Sequence, residues 1–327
     1  MDDVAKRAGV SAQTVSRVIG RPEMVSAETR ELVEQAIREL NYIPNGAARH
    51  LASSRSRSVV AIIPTLATSV YADEVSQIMA VLESQNFTTL LGNSEHSIER
   101  EEHLISSFLE RQPDAFILTG LSHSRRTHSL LLASGVPVVE TWETDGVSLD
   151  MSVGFSNIDA GRSLAEYLVE KGYRSFGFVG GDFRVDHRAR QRLAGFAGGL
   201  KDMGVRAPIV VEVAVPATSE DGIAGFDRLL AQVPRRDAIF FSADGLAIPA
   251  LLDCQRRGIK VPDDIAICGF GDYDLATIVN PQLTTVRVEA AAMGTMAAQL
   301  ILRRLKGEPL VKEKVDVGFK VMARESA

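Results

Sequence analysis

From residue 58 onward the chain alternates short apolar runs with longer amphipathic stretches, and no other feature restricts its fold as much. Runs at 59–64, 88–91, 115–119 and 136–140 read as strands, with helical stretches near 71–86, 97–111 and 124–134 between them. A second set follows, with strands at 176–180, 209–215, 238–241 and 265–268 and helices near 158–171, 188–203, 219–233 and 245–257. A strand that is followed by a helix and then by another strand crosses over, so each set makes an open sheet with helices on both faces. Two such sets imply two lobes with a cleft between them.

The first 58 residues follow a different pattern. Asp2 reads as the N-cap of a helix whose apolar face is Val4, Ala5 and Ala8. Gly9 follows where a helix end wants positive φ, and Val10 can tuck into the turn. Ser11 then caps a second helix, 12–20, with Val15, Val18 and Ile19 as its core face. Helix, tight glycine turn and helix make a helix-turn-helix. A third helix, capped by Ser26, carries Leu32, Val33, Ala36, Ile37 and Leu40 and closes a three-helix core. Ala12, Gln13, Ser16 and Arg17 lie on the faces of the second helix away from that core. Glutamine pairs bidentately with adenine and arginine with guanine in the major groove. The hydroxyls of Ser11, Thr14 and Ser16, with the amides at the helix start, suit phosphates. A lone Gln or Arg is most often just a solvated side chain, and it is the ordered combination that points to duplex DNA.

Charge sharpens that reading. The 327-residue chain carries a net −6, which argues against indiscriminate nucleic-acid binding. Residues 1–58, however, hold nine Lys/Arg against seven Asp/Glu, so they are +2 and the remainder is −8. No apolar run approaches the ~18 residues of a membrane span. The acidic start Met1-Asp2-Asp3 lacks the apolar core of a secretory signal. Cys254 and Cys268 sit in an apolar helix and an apolar strand, without metal-ligand spacing. A cytoplasmic protein without membrane contact is expected.

Several strings then carry a resemblance. Asp3-Val4-Ala5-Lys6-Arg7-Ala8-Gly9-Val10-Ser11, Gln13-Thr14-Val15-Ser16-Arg17-Val18, Val25-Ser26, Thr29-Arg30 and Leu40-Asn41-Tyr42-Ile43-Pro44-Asn45 resemble the lactose-repressor (LacI/GalR) family, almost unbroken through residue 52. The family usually begins with a Thr-hydrophobic pair before the first helix, which this sequence lacks. The resemblance implies a small all-α helix-turn-helix head (1–44), a hinge helix and linker (45–58), and a two-lobed α/β, periplasmic-binding-protein-like (type I) effector and dimerisation domain (59–327). Its first lobe would be about 59–157 and 288–315, and its second about 158–287 and 316–327. It further implies a homodimeric transcriptional regulator, a repressor by the leading reading, on a pseudo-palindromic double-stranded operator. The implied DNA contacts are Ser11, Ala12, Gln13, Thr14, Ser16, Arg17 and Tyr42, with Asn45, Ala48 and Leu51 from the hinge. A hinge of some nine residues that includes Gly46 is too short to be a stable isolated helix, so it would form only against a partner and DNA.

For the cleft, the resemblance makes the arginine three residues before Gly195 a sugar anchor, and Arg192 holds that place. Arg188 shares its helix face at i, i+4, where like charges repel by roughly 0.2–0.5 kcal/mol. A bound anion would relieve that repulsion, as would Asp186 or plain solvation. Tyr71, Trp142, Ser242 and Asp272 are further effector-binding candidates; Trp142, the sole tryptophan, either stacks on a sugar ring or fills the core. Many family members have Asn before the Asp at 244 and Asp after Phe270, where this sequence has Ala243 and Gly271. Two partners for neutral-sugar hydroxyls are thereby missing. Residues 66–71, Pro137-Val138-Val139-Glu140 and Val153-Gly154-Phe155 also resemble the gluconate-operon repressor branch, and a sugar acid such as gluconate becomes the expected effector.

Other motifs lead nowhere. Gly180-Gly181 follows a strand but no GxGxxG continues it, and His123, His128 and His187 lack metal spacing. No Walker sequence, serine elbow or Cys/His dyad occurs, so neither catalysis nor a cofactor or metal is expected. The rival readings are a regulator answering a neutral sugar or other metabolite, a transport-type sugar-binding protein, and a cytosolic sugar-acid enzyme. A transport protein would carry a signal and no head; an enzyme would turn over a sugar acid.

Overall fold

The computed structural model describes residues 1–20, 22–42, 56–232, 237–309 and 314–327. They divide into two units, Met1–Arg57 with Arg111–Asp114, and Ser58–Glu110 with Ala115–Ala327.

In the first unit the helices are α1 (Asp2–Ala8), α2 (Ala12–Gly20) and α3 (Ala27–Glu39). Gly9 ends α1 at φ 67°, a left-handed conformation that costs glycine nothing. The Oγ of Ser11 accepts the Thr14 amide at 3.1 Å and that of Ser26 the Thr29 amide at 3.3 Å, so serines cap α2 and α3 as their positions suggest. α1 differs: it starts behind Met1 without a side-chain cap, and Asp2 is its first residue, where its charge favours the helix dipole. Val4, Ala5, Val15, Val18, Val33 and Ala36 form the core, with Val10, Ile19 and Ile37 packed on it. Leu32 and Leu40, expected inside, are 49% and 43% exposed, because α1 and α2 cover a narrower stripe than the apolar face α3 offers.

The second unit contains two sheets. The first is built from β1 (Ser58–Ile63), β2 (Thr88–Asn93), β3 (Ala115–Thr119), β4 (Val138–Thr141), β5 (Met151–Gly154) and β11 (Lys314–Asp316), in the order β11-β5-β4-β3-β1-β2. All its pairings are parallel, as in β1 on β3, where Val60 lies opposite Phe116. Its helices are α4 (Ser69–Glu83), α5 (Ile98–Leu109), α6 (Arg125–Ser134) and α11 (Ala290–Leu305). The second sheet holds β6 (Phe176–Gly181), β7 (Ile209–Val213), β8 (Ala238–Phe241), β9 (Ala266–Gly271), β10 (Thr284–Val288) and β12 (Phe319–Met322), ordered β12-β10-β9-β8-β6-β7. Here only β12 runs antiparallel, along β10. α7 (Asn157–Glu170), α8 (His187–Asp202), α9 (Ser219–Gln232) and α10 (Asp244–Arg257) pack on it.

Strands covered on both faces are continuously apolar: Val59 to Ile63 of β1 are all buried. The strands not anticipated are β5, β10, β11 and β12. β5 is four residues long and ends in glycine, β10 carries two threonines and an arginine, and β11 and β12 are sheet edges with exposed positions.

Without the added edge strands, each sheet winds in the same order, β2-β1-β3-β4-β5 and β7-β6-β8-β9-β10. Such a sheet opens a crevice at the carboxyl ends of its strands, where the winding reverses. Reversal falls between β1 and β3 and between β6 and β8. One close contact fixes the helix that borders the crevice: a Cβ on Gly195 would sit 1.8 Å from the Ile158 carbonyl oxygen, and one on Gly161 2.1 Å from that of Arg192. α7 and α8 therefore meet backbone to backbone.

Candidate DNA-reading face and ligand cleft

α2 is sharply two-sided. Val15 and Val18 are buried, Gln13, Ser16 and Arg17 are exposed, and Ala12 and Thr14 are half-buried. The Oγ of Ser11 and the Oγ1 of Thr14 lie 2.9 Å apart, so this pair caps the helix as well as facing outward. Tyr42 packs against the head core and its amide donates to the Ile37 carbonyl at 3.0 Å. Asn45, Ala48 and Leu51 lie outside the described residues.

In the body, the strand ends named by the winding order converge on a cavity of about 620 Å³. Thr65, Tyr71, His96 and Trp142 border it from the first sheet's side, and Gly181, Arg188, Arg192, Ser242 and Gly271 from the second's. Of the four further effector-binding candidates, Tyr71, Trp142 and Ser242 line the cleft. Asp272 does not. Its carboxylate is taken by Arg287 at 2.6 Å and Arg324 at 2.6 Å, an ion-pair bridge within the second sheet's periphery.

Arg192 is only 7% exposed, and its guanidinium lies over the Phe270 ring at 4.1 Å. Its Nε is buried without a hydrogen-bond partner. Burial lowers its pKa; Asp186 acts against this, and Arg188 adds to it. Arg188, one turn earlier, has made partners across the cleft. Its Nη2 donates to the Tyr71 hydroxyl at 3.0 Å, and its Nη1 stands 4.0 Å from Glu143. Burial opposes its charge, yet Tyr71, Glu143 and Asp186 outweigh burial and raise its pKa. Gln191 reaches the same Glu143 at 3.2 Å. α8 is thus tied to the first lobe through two acceptors.

Trp142 both forms the wall and is held by the core. Its backbone is left-handed (φ 72°), its ring lies 4.7 Å from that of Tyr71, and its indole N–H donates to Glu74 at 2.6 Å. A Cβ on Gly154 would come 2.5 Å from the Glu143 amide nitrogen, so that glycine is what lets β5 approach this kinked backbone. Ala243 and Gly271, where the family's polar side chains are missing, both face the cavity. At Gly271 the loss is enforced: φ is 122°, and a Cβ would lie 2.4 Å from the Tyr273 ring. Tyr273 occupies the space a side chain there would need.

Glu143 and His96, which line the cavities, and Glu74, which holds Trp142 from behind, have no place in the sequence reading, and Asp186 entered it only as a neighbour of the arginines. The signal for Glu143 and His96 was position: each lies two or three residues beyond a strand end of the first sheet.

A small helical head with an exposed Gln/Ser/Arg face, and a two-lobed body with a buried arginine in its cleft whose Nε has no partner, define a ligand-responsive DNA-binding protein. Residues 1–45 match the bacterial regulatory proteins of the lacI family, and residues 165–327 match the periplasmic binding protein-like domain. The chain is 38% identical over its whole length, and over 95% of the relative, to the HTH-type transcriptional regulator GntR of Pseudomonas aeruginosa. A LacI-family regulator from Silicibacter pomeroyi has TM-score 0.92 at 32% identity, covering 99% of this chain and 98% of that one. The lac repressor dimer bound to operator and the anti-inducer ONPF has TM-score 0.86 at 26% identity, covering 99% and 97%. The chain belongs to the LacI family and is a DNA-binding transcriptional regulator, not an enzyme. Among the described residues no helix is long and apolar enough to cross a membrane.

Proposed function

We propose that the protein is a homodimeric repressor that reads a pseudo-palindromic operator and whose operator affinity is set by a sugar acid, such as gluconate, bound in the cleft. Arg192 carries this reading. A guanidinium removed from water and left with an unpartnered Nε is costly to keep, and a ligand carboxylate matches its planar fork. The losses at Ala243 and Gly271, the resemblance to the gluconate-operon branch and the similarity to a regulator named GntR point the same way. On the DNA, Gln13 and Arg17 read bases, while Ser11, Ala12, Thr14, Ser16 and Tyr42 hold phosphates or fit the groove. Asn45, Ala48 and Leu51 are assigned to the hinge by resemblance. Two heads on one dyad require two half-sites. The test of the effector is a calorimetric panel of gluconate, related aldonates, glucose, ribose and a purine against the full chain. Heat from gluconate or another aldonate, and weaker operator binding in its presence, is the expected result. Heat from glucose or a purine and none from any acid removes the sugar-acid reading.

A further inference from the structure

Beside the main cavity lies a smaller one of about 60 Å³, at the carboxyl ends of β2 and β3. The two share His96, Asp186 and Arg188, so they adjoin around the Arg188 guanidinium. The character of the walls changes across that side chain. The larger chamber has Trp142, Phe270 and Tyr273 around Arg192. The annex is lined by the hydroxyl-bearing Ser94, Ser97, Thr119 and Ser122, with Glu101 and Glu143.

We propose that this annex is a second subsite, which takes the uncharged, hydroxylated end of an open-chain acid whose carboxylate lies against Arg192. The inference rests on the sugar-acid reading and adds to it an orientation, a chain length and an exclusion. Arg188 and Arg192 are four residues apart on α8, which places them about 6 Å apart along the helix axis. An extended six-carbon acid spans that interval and carries its terminal hydroxyls past Arg188; a four-carbon acid stops short of the annex.

The charges set the direction. His123 has both ring nitrogens engaged as donors, to Glu101 at 2.7 Å and to the Gly120 carbonyl at 3.1 Å, with Glu140 at 3.2 Å. Its single charge lies between two carboxylates, Glu101 and Glu140. Asp186 lies between Arg188 and Arg192, and Glu143 faces Arg188; with one carboxylate of Glu101 and Glu140 left uncompensated the annex is net negative, and the free Nε of Arg192 is the cationic pole of the cleft. A terminal phosphate entering the annex would meet two carboxylates and one guanidinium already committed to Tyr71 and Glu143. The rim is also held in a costly conformation: Glu95 and His96 are consecutive left-handed residues, at φ 52° and 58°.

The experiment is titration calorimetry of the full chain with gluconate, gluconate 6-phosphate and a four-carbon aldonate, on the wild type and on Ser94→Val and Ser122→Leu. Ser94 is 6% exposed, and the added methyl groups of valine fill the annex from one wall; leucine at 122 does so from another. The phosphate ester should bind wild type about ten-fold or more weakly than gluconate, because like charges are brought together out of water. Each variant should weaken gluconate by about ten-fold and the four-carbon acid by less than about two-fold. Equal or tighter binding of the phosphate ester overturns the proposal, even if neither variant folds. So does an equal loss for both chain lengths in a variant that keeps the wild-type melting temperature. If no acid binds the wild type, the sugar-acid reading itself falls and the annex with it; if acids bind without the length and phosphate pattern, only the annex assignment falls.

Discussion

The indole N–H of Trp142 donates to Glu74 at 2.6 Å, and both side chains are almost wholly buried, with exposures of 3% and 1%. Burial holds the Glu74 carboxyl up at about 7, against the hydrogen bond from Trp142 and the charge of Arg188. Its other oxygen has no partner, which leaves room for the proton there.

That places a pH dependence on folding. A carboxyl whose pKa is raised in the folded state, here from 4.5 to about 7, keeps a proton that the unfolded chain gives up. Its contribution to stability is full below pH 4.5 and is lost as pH climbs through 7. Asp244, raised by burial to about 6, acts in the same direction. The melting temperature should fall between pH 5 and 8. Glu74→Gln, which keeps an acceptor for the indole, should flatten the fall by on the order of 3 kcal/mol. Scanning calorimetry at fixed ionic strength reads this, and an unchanged slope removes Glu74 as its source.

Gln13 and Arg17 are exposed on α2, away from the Val15 and Val18 core contacts. Gln13→Ala and Arg17→Ala should leave the head folded and each cost about 1–3 kcal/mol of discrimination at one operator position per half-site. Binding measured on single-base operator variants at fixed salt checks this. A uniform loss on every sequence would make them phosphate contacts instead.

Arg192 serves ligand binding more than stability. An apolar side chain of similar length gives up the buried charge but keeps the packing on Phe270. Arg192→Met also leaves buried Asp186 with Arg188 as its remaining guanidinium, so the two effects oppose each other and the melting temperature of the ligand-free protein should change little. The same change should cost about 2–5 kcal/mol of acid binding, while operator binding without effector stays near wild type. A strongly destabilised variant would mean that the charge is satisfied in the free protein.

Gly195 sets the position of α8. Gly195→Ala forces a Cβ into the Ile158 carbonyl, at 1.8 Å in the present geometry, so α7 and α8 must separate. The cost should reach about 1–3 kcal/mol of folding stability, with effector affinity falling too because Arg192 moves with its helix. Gly198→Ala, on the same helix, meets only the far end of Arg162 at 3.5 Å and serves as the control.

Much of this was readable from the residues. Serine caps at Ser11 and Ser26, the left-handed Gly9 and the continuously apolar strands follow from local chemistry, which needs no knowledge of distant contacts. β10 was not readable, since its threonines are buried by a partner strand at the other end of the chain, β12. The family resemblance pointed to Arg192 as the candidate anchor, but its unmet Nε had no sign in the sequence, because that depends on what Asp186 and Phe270 do in space. Asp272 was misplaced for the same reason: Arg287 and Arg324 that claim it lie far along the sequence. Glu74 gave no local sign at all, since an acid in mid-helix usually faces water.

The repeated winding order also bears on how regulators of this kind diverge. The ligand-facing groups named above, apart from those on α4, α5 and α8, sit at or just past a strand end, where chain can be lengthened or exchanged with little disturbance to the pairing that holds the sheet. The operator-reading groups sit on α2, within a head that buries its own core. Selection for a new metabolite can therefore act on one set of positions while the DNA address is inherited intact.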